Sequence, residues 1–216
     1  MMEAVANTMN LTLRRLPPWA IYPLGALPAL WIVWLTLTGG IGVDPVAGIE
    51  KRLGFDAMYF LIGGLAISPL RRLTGINLIR YRRQIGLVAF TYVVLHMLSW
   101  FTLDMGLWWR QALGDLYRRP YLLFGISALI LLTPLAVTSN NASVRKLGPR
   151  WRRLHWLVYP AVLLGVVHYL WQFKIIPQSG WFWFGLTLAL LGLRLWWAAR
   201  RRLVRPRGVS QGVSRG

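Results

Sequence analysis

Residues 85–103 read IGLVAFTYVVLHMLSWFTL, nineteen positions without a charge, with Arg82 and Arg83 shortly before them and Asp104 just after. A helix crosses the hydrocarbon core of a bilayer with roughly 20 mostly apolar residues. This stretch has that length, and its one histidine is His96. Working outward, five further stretches pass the same test: Trp19–Thr38, Phe55–Leu70, Tyr121–Val137, Leu154–Phe173 and Trp181–Ala199. In chain order the second and fourth are short, which predicts upright helices or flanking anchors. Pro23, Pro28, Pro134 and Pro160 fall inside spans, where a membrane bundle re-satisfies the backbone groups that proline frees. The expected fold is all-α, a six-helix transmembrane bundle.

Composition points the same way. The chain has 216 residues, 56% hydrophobic and only 14% charged, against about 25% charged in soluble domains. It contains no cysteine. That excludes disulfides, iron–sulfur clusters, thiolate-ligated haem and haem attached covalently at C-x-x-C-H. No H-E-x-x-H, P-loop or G-x-G-x-x-G is present. Gly125-Ile126-Ser127-Ala128 is similar to the G-x-S-x of intramembrane serine proteases, but the last span carries no histidine to partner it.

There are 25 Lys and Arg against 6 Asp and Glu, a formal charge of +19. The spans divide these charges between two sides. Segments 14–15, 71–83, 145–153 and 200–215 hold eighteen basic residues, and segments 51–52, 110–119 and 174 hold six. The positive-inside rule then places both termini in the cytoplasm. The charge is therefore topological, a match to the lipid bilayer, and nucleic acid is excluded as a partner. Residues 1–18 form a cytoplasmic N-terminal segment, 19–199 the six-span domain, and 200–216 a basic tail whose Pro, Gly and Ser content reads as disordered. Arg194, a turn and a half from the cytoplasmic end of its span, is expected to snorkel there. Most of the thirteen tryptophans flank spans and form an aromatic belt. The loop 104–120, with Trp108, Trp109, Leu113 and Leu116, reads as an amphipathic segment on the outer surface.

The chemistry rests with three histidines, His96, His155 and His168. A neutral histidine bonded to a backbone carbonyl accounts for one such residue. Three, shared between two non-adjacent spans, point to function, because ionisable groups within a membrane are costly. His96 lies 11 residues into its span from the cytoplasm and His168 lies 14, depths of roughly 17 and 21 Å at about 1.5 Å per residue. Two imidazoles at one level supply both axial ligands of a b-type haem, so His96 and His168 are the candidate metal ligands. Gly165, three residues before His168, is the candidate for close approach of a flat macrocycle.

Several longer pieces carry a resemblance. Arg83-Gln84-Ile85-Gly86-Leu87 runs to Tyr92 and Leu95-His96. Arg119-Pro120-Tyr121-Leu122 leads through Thr133-Pro134-Leu135-Ala136 to Thr138-Ser139-Asn140. Trp151-Arg152-Arg153-Leu154-His155-Trp156-Leu157-Val158-Tyr159 is followed by His168-Tyr169-Leu170-Trp171, and Asp44-Pro45 with Ile49-Glu50 sits in the first outer loop. Over nearly the whole chain these residues resemble the MsrQ family, formerly YedZ, and more widely the ferric reductase-like transmembrane domains that include the NADPH oxidases. The resemblance implies a multi-pass protein of the bacterial inner membrane carrying haem b and FMN. It implies electrons taken from the quinone pool or a cytoplasmic flavin reductase. They would pass to a periplasmic molybdopterin reductase subunit, MsrP-like, that repairs methionine sulfoxide in envelope proteins.

The oxidases carry two histidines on each of two helices. Here the third span has only His96, and the position 13 or 14 residues before it holds Arg83 or Arg82. His155 is expected at the cytoplasmic face beside Arg152 and Arg153 and near Arg82 and Arg83. A second redox site there would use the arginines to hold the phosphate of FMN or a haem propionate. His155 would serve as ligand or hydrogen-bond partner to that cofactor or to a quinone, or else stand as an ordinary interfacial histidine. The alternative function for the whole chain is a polytopic transporter or structural membrane protein with structural histidines.

Overall fold

The computed structural model describes residues 2–203, all of whose regular elements are helical. In order they are α1 (Met2–Arg15), α2 (Ile21–Leu37), α3 (Pro45–Thr74), α4 (Arg82–Ser99), α5 (Trp109–Arg118), α6 (Tyr121–Val137), α7 (Asn141–Leu147), α8 (Pro149–Leu154), α9 (Val158–Trp171) and α10 (Gln178–Leu203). Five continuous helical stretches among these residues are long and apolar enough to cross a membrane, six if α5 and α6 are counted as one bent span. α6 has 17 residues and no charge, a rise of about 25 Å. The chain is a multi-pass membrane protein. Residues 204–216 of the expected tail lie outside the described residues.

The second span is not short. α3 has 30 residues, starting at the Asp44-Pro45 pair expected to lie in a loop. The Asp44 side chain accepts from the Ala47 N–H and Pro45 fills a position with no donor to satisfy, the two start signals of a helix. Gly75 stops the helix at φ +80, a left-handed conformation that glycine adopts freely. The fifth span starts earlier than expected and is broken. α8 passes through a 3-10 turn at His155–Leu157 into α9, because Pro160 has no N–H to give the Trp156 carbonyl. α4 ends in a π-helical turn, Trp100–Asp104. α5 stands at 113° to α6, so the expected amphipathic segment is a helix lying across the direction of the spans.

α3 is the hub of the bundle. Met58, Ile62 and Leu65 meet Val162, Val166, Tyr169 and Leu170 of α9 and Leu190 of α10. Leu53 and Ala57 meet Ile32 of α2 with Val88 and Tyr92 of α4. Leu132 and Leu135 of α6 close on Ala161 of α9, which is fully buried. Away from these seams α2 exposes Leu24, Leu27, Leu30, Trp31, Val33 and Trp34, the face lipid covers. Arg194 does not snorkel: it is half-buried, and its guanidinium donates inward to the Leu65 carbonyl and the Tyr159 hydroxyl.

Candidate functional site

α4 and α9 bring His96 and His168 together, with ring centres 6.1 Å apart and planes at 69°. Each ring is fixed in the same way. His96 Nδ1 donates to the Glu50 carbonyl of α3 at 2.9 Å, and His168 Nδ1 donates to the Tyr121 carbonyl of α6 at 2.8 Å. Four residues beyond each carbonyl stands a glycine. A Cβ on Gly54 would come within 3.2 Å of the His96 ring, and one on Gly125 within 3.0 Å of the His168 ring. Each imidazole therefore rests in a notch made by a backbone acceptor and the glycine one turn on. These notches depend on register between helices, so the sequence reading missed them. Gly165, the candidate for approach of a flat macrocycle, has open space beside it: a Cβ there would meet no protein atom within 4 Å.

Commitment of both Nδ1 atoms to carbonyls leaves both Nε2 atoms as lone-pair donors. An imidazole nitrogen binds a transition metal at about 2.0–2.1 Å, which holds two rings on one ion with centres about 6 Å apart. The observed spacing matches. A carbonyl bond on the far nitrogen is also the usual outer support of a ligating histidine, fixing tautomer and orientation. The C-terminal end of α4 is tied down next to this pair: Trp100 Nε1 donates to Asp115 of α5, and Arg119 bridges Asp115 at 2.7 Å and Asp104 at 3.6 Å.

Nearer the arginine-rich end lies a cavity of about 590 Å³ between α3, α4, α6 and α9. Its walls are apolar, with Phe60, Phe90 and Leu132 among them, and its rim carries Arg80, Arg82, Arg83 and Arg152. His155 lines it; Arg153 does not, and Arg80 joins the set although the sequence reading counted it only as a charge. Arg83 is held by Asn141 at 2.7 Å. His155 stacks on Trp151, ring centres 3.8 Å apart. Its Nε2 lies 3.3 Å from Thr138 Oγ1, whose own proton goes to the Pro134 carbonyl at 2.6 Å. Thr138 therefore accepts, and His155 Nε2 carries the proton. Gln84 also lines the cavity, with its Oε1 buried and unpartnered. The buried orphan acceptor calls for a hydrogen-bond donor and the arginines call for negative charge, so the pocket fits a polar occupant that carries both.

Comparison with known proteins adds to this geometry. A family described as "Ferric reductase like transmembrane component" matches residues 53–166, more than half of the chain, including His96 and His155. A relative from Agrobacterium fabrum is 45% identical over 177 residues, covering 82% of each chain. Relatives from Brucella anthropi and Brucella ovis are 42% and 44% identical, covering 91% and 88% of each chain. All three bear the name protein-methionine-sulfoxide reductase heme-binding subunit MsrQ.

Proposed function

The chain belongs to the MsrQ family of ferric reductase-like membrane proteins, and from that premise we propose that it is the haem-binding membrane subunit of a methionine sulfoxide reductase system, a carrier of electrons and not itself the reducing enzyme. The observation that carries this reading is the His96–His168 pair, 6.1 Å apart and each locked by its Nδ1. A b-type haem held there by His96 and His168 would supply a one-electron carrier. The chain's own residues do the rest. The Glu50 and Tyr121 carbonyls keep the Nε2 lone pairs directed inward. Gly54 and Gly125 let the rings seat, and the surrounding apolar helices exclude water.

The excess of arginine at the end holding the cavity supports an orientation with both termini in the cytoplasm of a bacterial inner membrane. The cavity then receives electrons from a quinone or a cytoplasmic flavin reductase. The His96–His168 end hands them to a periplasmic molybdopterin reductase subunit, MsrP-like. Arg82, Arg83 and Arg152, with Arg153 at the surface beside them, suit the phosphate of FMN or a propionate. With Nε2 given to Thr138, the Nδ1 of His155 is left to serve as acceptor or ligand for an occupant of that cavity.

Reduced-minus-oxidised absorption spectra of the purified protein test this reading. Sharp b-type bands are expected, lost alike in His96→Ala and in His168→Ala. His155→Ala is expected to keep them while slowing their appearance when a quinol or a flavin reductase supplies the electrons. No bands in the native protein would favour a transporter or structural protein, and a full bis-histidine spectrum in His168→Ala would break the pairing.

A further inference from the structure

Arg194 is the one charged residue between Trp181 and Ala199. Its position has a local cause. The Leu65 carbonyl of α3 would normally accept from the N–H of residue 69, but that residue is Pro69, which has none. Arg194 fills the vacant acceptor. This accounts for one of its five N–H donors and for none of its charge. Neither of the two ion pairs among the described residues involves Arg194, and its Nε is buried with no partner. An unpaired charge at this depth is costly, and where one occurs it faces a partner or a functional cavity.

A second donor of the same guanidinium leads to such a cavity. Arg194 Nη1 donates to the Tyr159 hydroxyl at 3.2 Å, and the guanidinium lies 5.6 Å from the Tyr159 ring centre. Tyr159 lines the arginine-rimmed cavity together with His155 and Gln84. Its oxygen accepts from Arg194, and no other partner for it is found among the described residues, so its own O–H remains to be given. A hydroxyl that accepts from a cation is polarised into a better donor.

We propose that Tyr159 and Arg194 form a positioning pair for the redox group of the cavity: Tyr159 donates a hydrogen bond to an electron-rich atom of that group, and Arg194 supplies the charge behind it. The pair rests on the reading of the cavity as the site of electron input. Hydrogen-bond donation and positive charge both favour the reduced, more negative form. They raise the midpoint potential of the inner group and draw electrons into the membrane from the donor. The outer pair, held by carbonyls on α3 and α6, is outside their reach.

The test is a spectroelectrochemical titration of the purified protein with its native cofactors, followed at its own visible absorption bands. Wild type is expected to show an inner component, altered by His155→Ala, and an outer component, lost in His168→Ala. Tyr159→Phe and Arg194→Gln should each lower the potential of the inner component alone. At a fixed ambient potential this raises its oxidised-to-reduced ratio about tenfold, the weight of one hydrogen bond to a charged group. Arg194→Lys should restore most of the shift, which a packing role would not. An inner component unmoved by Tyr159→Phe overturns the pair and leaves the cavity reading standing. A single component unaffected by His155→Ala means that the cavity holds no resident light-absorbing redox group, which overturns the pair. Tyr159→Phe keeps the test valid if Arg194→Gln fails to fold, because it preserves the Arg194–Leu65 bond.

Discussion

Each of the two facing histidines is held by one carbonyl and one glycine, and the glycine decides how closely the ring can sit. A Cβ at 125 would stand 3.0 Å from both Cε1 and Nδ1 of His168, the edge that donates to Tyr121. Gly125→Ala therefore pushes the ring off its carbonyl and tilts Nε2. The expected outcome is a bis-histidine spectrum that is broadened or partly lost in Gly125→Ala, read in the purified variant against wild type. An unchanged spectrum would remove the notch from the account. The histidine pair was legible in the sequence because depth along a helix is simple arithmetic. The notch was not, because Gly125 reads as any small residue, or as part of a weak protease-like tetrapeptide, until α6 is laid against α9. Arg194 shows the same limit. Its span end suggested snorkelling, while the signal that mattered, Pro69 four residues after Leu65, lay on a distant helix.

At the scale of elements, α4 is held in register by a side chain inserted into its neighbour's backbone. The Tyr92 hydroxyl accepts from the Ala29 N–H at 2.9 Å and donates to the Gly25 carbonyl at 2.7 Å. It thus replaces one rung of the α2 ladder, next to Pro28, which has already removed another. Gly25 permits the approach, since a Cβ there would lie 2.8 Å from Val88. Tyr92 is one turn before His96, so this anchor also sets where His96 falls. Tyr92→Phe lets Ala29 and Gly25 bond directly, so the loss is expected to be about 1 kcal/mol, within the range for interhelical hydrogen bonds in membranes. Thermal unfolding of the variant in detergent, with the histidine-dependent bands as reporter, checks it; a loss of several kcal/mol would mean that α2 cannot close its ladder. Most elements were legible as apolar runs. α3 was cut short at Phe55 because Glu50, Lys51 and Arg52 interrupt the hydropathy, even though Asp44-Pro45 carries a helix start. The break at His155 was visible only as a proline.

For the whole molecule, the decisive quantity is the division of basic residues between the two ends, since it fixes which site meets which partner. The charged tail beyond residue 203 lies outside the described residues, so the orientation rests on segments 14–15, 71–83 and 145–153 against 51–52, 110–119 and 174. The first group still holds the majority. The chain has no cysteine, so any single cysteine placed on it is a unique label. Val43, Tyr117 and Ile175 are 106%, 92% and 87% exposed and lie in or next to the segments at the His96–His168 end. Arg71 and Ala142 are exposed at the opposite end. In intact cells a membrane-impermeant maleimide is expected to label Val43→Cys, Tyr117→Cys and Ile175→Cys. Arg71→Cys and Ala142→Cys should react only after the inner membrane is opened. The reverse pattern would invert the molecule and put the arginine-rimmed cavity against the periplasm, where no cytoplasmic donor could reach it. A split within either set would instead mean that α6, with its 17 residues and the 113° bend before it, does not cross, which leaves five spans and separates the two termini.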